Sequence, residues 1–216
     1  ERDGETVVAK KLVYPDIALK KGVTKTQENL WCLFILLYGH DIDKVDEIKN
    51  ATHKITEDIP LIVIGIDEYY EESTEGLLKK LPAESQKIIL SDKIQQPNNF
   101  HLTPPATINI SGVNVLLLIG DRLKKYIELF ESSAESSVLN LIKKRHMDPI
   151  FTPTIYENDP FLLQTPPDVL TIFNFGSSFS FTYKGMTVIS LGEDGKNSCA
   201  WLLNLKTRET IKIDCS

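Results

Sequence analysis

The sequence predicts an α/β fold of mixed sheets, a two-sheet sandwich flanked by helices. Residues 31–37 and 61–65 are unbroken apolar runs of strand length, rich enough to be covered on both faces. Around them the apolar residues spread to helical spacing, and this alternation is that of parallel strands with covering helices. After Pro166-Pro167 the pattern changes to a series of short strands, which suits antiparallel pairs completing two facing sheets.

Taken in order, Thr6-Val7-Val8-Ala9 reads as a short strand, followed by Val13-Tyr14-Pro15-Asp16-Ile17 and a polar connector over residues 20–29. Residues 42–53 place Ile42, Val45 and Ile48 between charges, which predicts a helix. Pro60 bounds the second buried strand, residues 71–80 read as helical, and Lys87-Ile88-Ile89-Leu90 gives a third strand. Residues 107–110 and 113–119 form a hairpin about Ser111-Gly112, where glycine supplies the turn. Residues 121–130 and 136–145 are helical, with Asp121 and a serine as N-caps. Strands follow at 169–173, 179–183, 187–191, 199–205 and 210–213, with turns at Lys184-Gly185 and Lys206-Thr207-Arg208. There is no internal repeat or low-complexity tract.

Composition narrows the function classes. The 216 residues are 42% hydrophobic and 25% charged, enough apolar material for a substantial core. Basic residues number 24 against 30 acidic, a net charge of −6, which argues against tight coating of nucleic acid. Lys143-Lys144-Arg145-His146 is the one compact basic run, and its bland reading is the C-terminal turn of a helix, where cations suit the dipole. Cys32, Cys199 and Cys215 cannot all pair with one another and show no zinc spacing. That predicts a reducing intracellular compartment, the cytoplasm or, in a eukaryote, the nucleus. The apolar runs are too short to span a membrane, and no secretory signal opens the chain. The start at Glu1, without an initiator methionine and in what reads as mid-domain sequence, predicts a piece of a longer protein. Gly176-Ser177-Ser178 lacks the flanks of a nucleophile elbow, and there is no glycine-rich phosphate loop. Phe173, Phe175, Phe179, Phe181 and Tyr183 alternate at strand spacing, which core packing explains before a base-stacking surface does.

Two segments carry a family resemblance. Arg145-His146-Met147-Asp148-Pro149-Ile150, preceded by Leu141-Ile142-Lys143-Lys144, resembles the Lys-Arg-Arg-His-Leu-Ala-Pro-Ile block of the small subunit of archaeal D-family DNA polymerase. Thr165-Pro166-Pro167-Asp168-Val169-Leu170 is similar to that family's Val-Pro-Asp-Ile-Leu, which introduces a Gly-His-x-His metal motif. The resemblance implies the calcineurin-like phosphoesterase fold, with metal ligands at successive strand ends. In such sites two metals roughly 3.5–4 Å apart clamp the attacking and leaving oxygens. It also implies that residues 1–24 are the tail of a preceding β domain of the oligonucleotide-binding type with its linker, and that residues 25–216 are the phosphoesterase-like domain.

At the ligand blocks this chain carries other residues. Leu37 and Gly39 stand in the Asp-x-His block, within Phe34-Ile35-Leu36-Leu37-Tyr38-Gly39. Ile66 takes the place of the bridging aspartate and Tyr69 that of the later one, and Leu90-Ser91-Asp92 lacks the asparagine and histidine of the third block. Ile119 stands at the histidine that precedes a glycine, and Asn174 and Gly176 fall in the Gly-His-x-His block. Aliphatic side chains cannot coordinate metals. The expectation is therefore a chain that is not an enzyme, an inactivated relative with no cofactor. It would serve as an accessory scaffold in DNA replication or repair, bound to a polymerase catalytic subunit or another replication protein. This segment alone would not bind DNA tightly, and no membrane is involved. The alternatives are a metal-dependent 3′–5′ exonuclease or phosphodiesterase with a rewired site, or an interaction module whose partner is not a polymerase. His40, Asp41, Asp67 and Asp92 are the polar candidates for rewiring, while turn and cap roles explain the same residue types. His53 and His101 have no partner pattern.

Overall fold

A computed structural model describes residues 24–37, 44–58, 60–66, 80–81, 85–90, 100–130, 132–148, 161–192 and 199–214. The described elements run β1 (Trp31–Leu37), α1 (Lys44–Ile55), β2 (Leu61–Ile66), β3 (Lys87–Leu90), β4 (Phe100–Leu102), β5 (Ala106–Ile110), β6 (Val113–Ile119) and α2 (Asp121–Phe130). They continue through α3 (Ala134–Lys144), β7 (Val169–Phe173), β8 (Phe179–Tyr183), β9 (Met186–Leu191), β10 (Cys199–Asn204) and β11 (Thr210–Asp214). The expected strand at 6–9, the segment 13–17, residues 71–79 of the expected helix and the expected preceding domain up to residue 23 lie outside the described residues. No described helix is long and apolar enough to cross a membrane, which says nothing of a β-barrel.

The strands form two mixed sheets, as expected from the sequence. One has the order β11-β10-β1-β2-β3-β4, and the other β5-β6-β7-β9-β8. β1 to β4 pair in parallel in the first sheet, as do β6, β7 and β9 in the second. The outer strands β11, β10, β5 and β8 are joined antiparallel. β4 had no counterpart in the sequence reading, because three residues are too few to display a period.

Side-chain alternation builds three apolar layers. Cys32, Phe34 and Leu36 of β1 meet Val169 and Phe173 of β7 between the sheets. Leu33 and Ile35 turn outward to Val45 and Ile48 of α1, while Leu170 and Ile172 turn outward to Leu123, Val138 and Leu141 of α2 and α3. All residues of β7 and β9 are buried, Thr171, Thr187 and Ser190 among them. The β5–β6 hairpin turns at Ser111 (φ 47°) and Gly112 (φ 90°), and Gly112 donates to Asn109 Oδ1 at 3.1 Å. Lys184 and Gly185 make the same kind of turn between β8 and β9.

The amino end of the parallel strands is held by polar groups. Asp168, 2% exposed, accepts from the Asn114 amide at 2.9 Å and returns its own N–H to Asn114 O at the same distance. Arg208 donates through Nε and Nη2 to Thr24 O, tying the entering chain to the β10–β11 turn. Burial lowers the Arg208 pKa, while Asp168 and Cys32 act to raise it.

Burial pushes the Cys32 thiol from 9.0 up to about 12, against a smaller opposing effect of Arg208. The folded chain therefore holds this proton more tightly than the unfolded chain. The resulting stabilisation is complete below pH 9 and is lost as pH rises toward about 12. In denaturant unfolding at a series of pH values, the stability gap between wild type and Cys32→Ala should narrow across that window. A gap that stays constant there would contradict the burial of this thiol.

Candidate functional site

The carboxyl ends of the parallel strands of both sheets lie at one end of the sandwich, because the last residue of β7 packs on the penultimate residue of β2. Phe173 is 1% exposed and meets Phe34 edge-on, with centroids 6.4 Å apart and planes at 60°. A Cβ placed on Gly65 would overlap the Phe173 ring. The missing side chain at position 65 is therefore what admits the ring.

Beyond Phe173 the chain turns sharply. Asn174 (φ 59°) and Gly176 (φ 56°) are both left-handed, and Phe175 swings to the opposite, helix-covered core. Phe173 and Phe175 thus pack in different layers, and the aromatic alternation of the sequence breaks at this point. Gly120 N donates to Phe173 O at 2.6 Å and Asn174 N to Leu191 O at 2.7 Å, which holds the turn to β6 and β9. A Cβ on Gly120 would strike Phe175, and one on Gly192 would strike Gly176. Three chain turns therefore meet here with no space for side chains between them.

A polar cluster sits on this turn. Asn174, 8% exposed, donates through Nδ2 to Asp121 Oδ1 at 2.9 Å, and its Oδ1 accepts from Lys124 Nζ at 3.0 Å. Lys124 Nζ also lies 3.2 Å from Asp121 Oδ1. Asp121 opens α2 directly after Gly120, and Lys124 follows one helical turn later, so both side chains reach the same turn.

The sequence-derived positions distribute as follows. Leu37, Ile66 and Ile119 are the last residues of β1, β2 and β6, and Ile119 is half-buried against the core between the sheets. Asn174 and Gly176 flank the turn after β7, where Gly176 faces Ala134 and Ile127. Gly39, His40, Asp41, Asp67 and Asp92 lie outside the described residues. Sequence reasoning took Asp121 only as an N-cap and missed Lys124; the signal for both was their position just after a strand end.

Among the described residues, no group of three or more His, Cys, Asp or Glu could hold a metal ion. Hydrocarbon side chains occupy the ends of β6 and β7, and the Asn174 amide oxygen accepts from an ammonium. The described residues therefore do not fit a two-metal centre. Three residues of the basic run have local roles in the fold. Lys144 Nζ donates to Tyr126 Oη at 3.0 Å and lies 5.4 Å from that ring's centroid. Arg145, 9% exposed, closes α3 in the left-handed conformation, and His146 Nδ1 accepts from the Asp148 amide at 3.1 Å.

No family model and no curated protein matches the chain. Solved structures do. The chain is similar to a novel archaeal phosphodiesterase at 10% identity and a TM-score of 0.53, covering 85% of this chain and 99% of that one. It is also similar to a conserved Streptococcus pneumoniae protein described as a predicted phosphoesterase (7% identity, TM-score 0.42, 87% and 99% covered). A third structure is Vps29 of Entamoeba histolytica complexed with zinc (10% identity, TM-score 0.39, 85% and 99% covered). The fold is the two-sheet sandwich of calcineurin-like phosphoesterases.

This likeness corrects the expectation that the chain is not an enzyme, since the structure matched at a TM-score of 0.53 is that of a phosphodiesterase. The expectation rested on apolar residues at the aligned ligand positions. The polar candidates near those positions, His40, Asp41, Asp67 and Asp92, lie outside the described residues.

Gly65→Ala should cost about 1–3 kcal/mol, because the added methyl meets the Phe173 ring in a packed core. Phe173→Leu in the same chain should recover part of that loss, giving a favourable coupling in a double-mutant cycle followed by denaturant unfolding. Strict additivity of the two costs would show that the contact does not set the spacing of the sheets.

Proposed function

We propose that this domain acts on phosphodiesters at the end of the sandwich where β1, β2, β3, β6 and β7 finish. The fold carries this reading, through the similarity to a phosphodiesterase that spans 85% of the chain. The polar turn of Asp121, Asn174 and Lys124 at that end supports it, since open parallel sheets bind ligands beyond their carboxyl edges. The Lys124 ammonium would attract the anionic ester beside the apolar strand ends of Phe173 and Ile119, and Asp121 and Asn174 would hold that ammonium in place.

Hydrolysis of a chromogenic phosphodiester and of single-stranded DNA, with and without added manganese, tests the proposal. The purified chain should turn over at least one of them, and Asp121→Ala and Asn174→Ala should each lower the rate about tenfold or more. Turnover no faster than the protein-free blank in every condition would refute it.

A second reading has its own observation, the two segments around Arg145 and Asp168 that resemble the D-family polymerase small subunit. In that reading the domain acts in DNA replication or repair through contact with a polymerase catalytic subunit or another replication protein. Its net charge of −6 favours protein contact over DNA backbone contact, which needs many lysines and arginines. Affinity isolation of the protein from its own cells should return a replication protein. DNA binding by the chain at physiological salt should be weak, and nanomolar binding with a steep salt slope would count against this reading.

A further inference from the structure

Lys124 does more than pair with a helix neighbour. Asp121 Oδ1 accepts from Asn174 Nδ2 at 2.9 Å, which sets the amide so that its oxygen faces Lys124 Nζ at 3.0 Å. The ammonium also lies 3.2 Å from that same Asp121 oxygen, so three side chains close a ring on three contacts. A fixed amide oxygen and a carboxylate oxygen that converge on one point are the hard donors a divalent ion requires. At that point stands a lysine nitrogen.

We infer that the corner between the ends of β6 and β7 is a cation position filled by Lys124, which holds Asp121 and Asn174 in place and excludes a divalent metal from their oxygens. Two physical facts support this. The ammonium supplies the positive charge that the Asp121 carboxylate needs, through a compact, strongly charged donor. A divalent ion at the same oxygens would sit within van der Waals distance of that charge, an arrangement Coulomb repulsion forbids. The inference does not depend on phosphodiesters being the substrate, because it concerns which cation this corner holds.

The side-chain amide of Asn174 is a local reporter, and its proton–nitrogen NMR signals can be followed in the full chain. In the wild type these signals should not move on titration with millimolar magnesium, whatever ions bind elsewhere. In Lys124→Met they should start at different shifts, because the amide oxygen no longer faces the ammonium, and should then move saturably with magnesium. Lys124→Arg should restore the insensitivity to magnesium. Thermal unfolding gives a second measure, with magnesium raising the midpoint of Lys124→Met more than that of wild type. A wild-type Asn174 amide that titrates with magnesium would overturn the inference. So would a Lys124→Met protein whose Asn174 signals neither differ from wild type nor respond to the ion. Phosphodiester turnover is not read in this experiment, so its failure and that of the proposed activity are separate results.

Discussion

The packing of Phe173 against the bare backbone of Gly65 sets how the two sheets meet, and the other features of the site follow from it. The ring also touches Phe34 edge-on, so one side chain from the second sheet is gripped by two strands of the first. Where both sheets' carboxyl ends meet, the chain leaving β7 takes a left-handed turn at Asn174. That turn sends Phe175 into the helix-covered layer and leaves Asn174 between β9 and the start of α2. Gly120 and Gly192 are required beside it for the same reason, since each stands where another turn already runs.

The result is an end with a hydrocarbon floor and a polar edge. Burying carboxylates or imidazoles between the sheets without a counter-charge would be costly, and the chain avoids it by placing Ile119 and Phe173 at the strand ends. Charge appears one step further out, where Asp121 and Lys124 compensate each other across Asn174. The opposite end of the sandwich is also polar, but there the groups bond into the backbone. Asp168 secures β6 to β7, and Arg208 fastens the incoming chain. At the carboxyl end the polar side chains bond to one another instead.

Much of this could be read from the residues. β1 and β2 were legible because burial on both faces leaves continuous apolar runs, and the hairpin at Ser111-Gly112 because a left-handed pair needs glycine. The second long helix begins two residues earlier than its spacing indicated. Ser133, and not a later serine of the cluster, accepts from the Ser136 amide, and propensity does not distinguish between adjacent serines. The basic run was legible as a helix end, where Arg145 and Lys144 now serve as cap and aromatic contact. Lys124 could not be recognised. A lysine three residues after an aspartate on a helix looks like any solvated pair, and its second partner is 50 residues away. The apolar residues at the aligned ligand positions led to the expectation of no activity, which the likeness to a phosphodiesterase overturns.

The proposed activity requires a phosphodiester to bind at the carboxyl end of the strands. A crystal structure of the chain with a bound phosphorothioate dinucleotide, located by the anomalous signal of its sulfur, tests this most directly. The account predicts the phosphorus within reach of Asp121, Lys124 and Asn174, over the floor formed by Ile119 and Phe173. A dinucleotide bound only at the opposite end, near Asp168 and Arg208, or on the outer face of the helices, would contradict it.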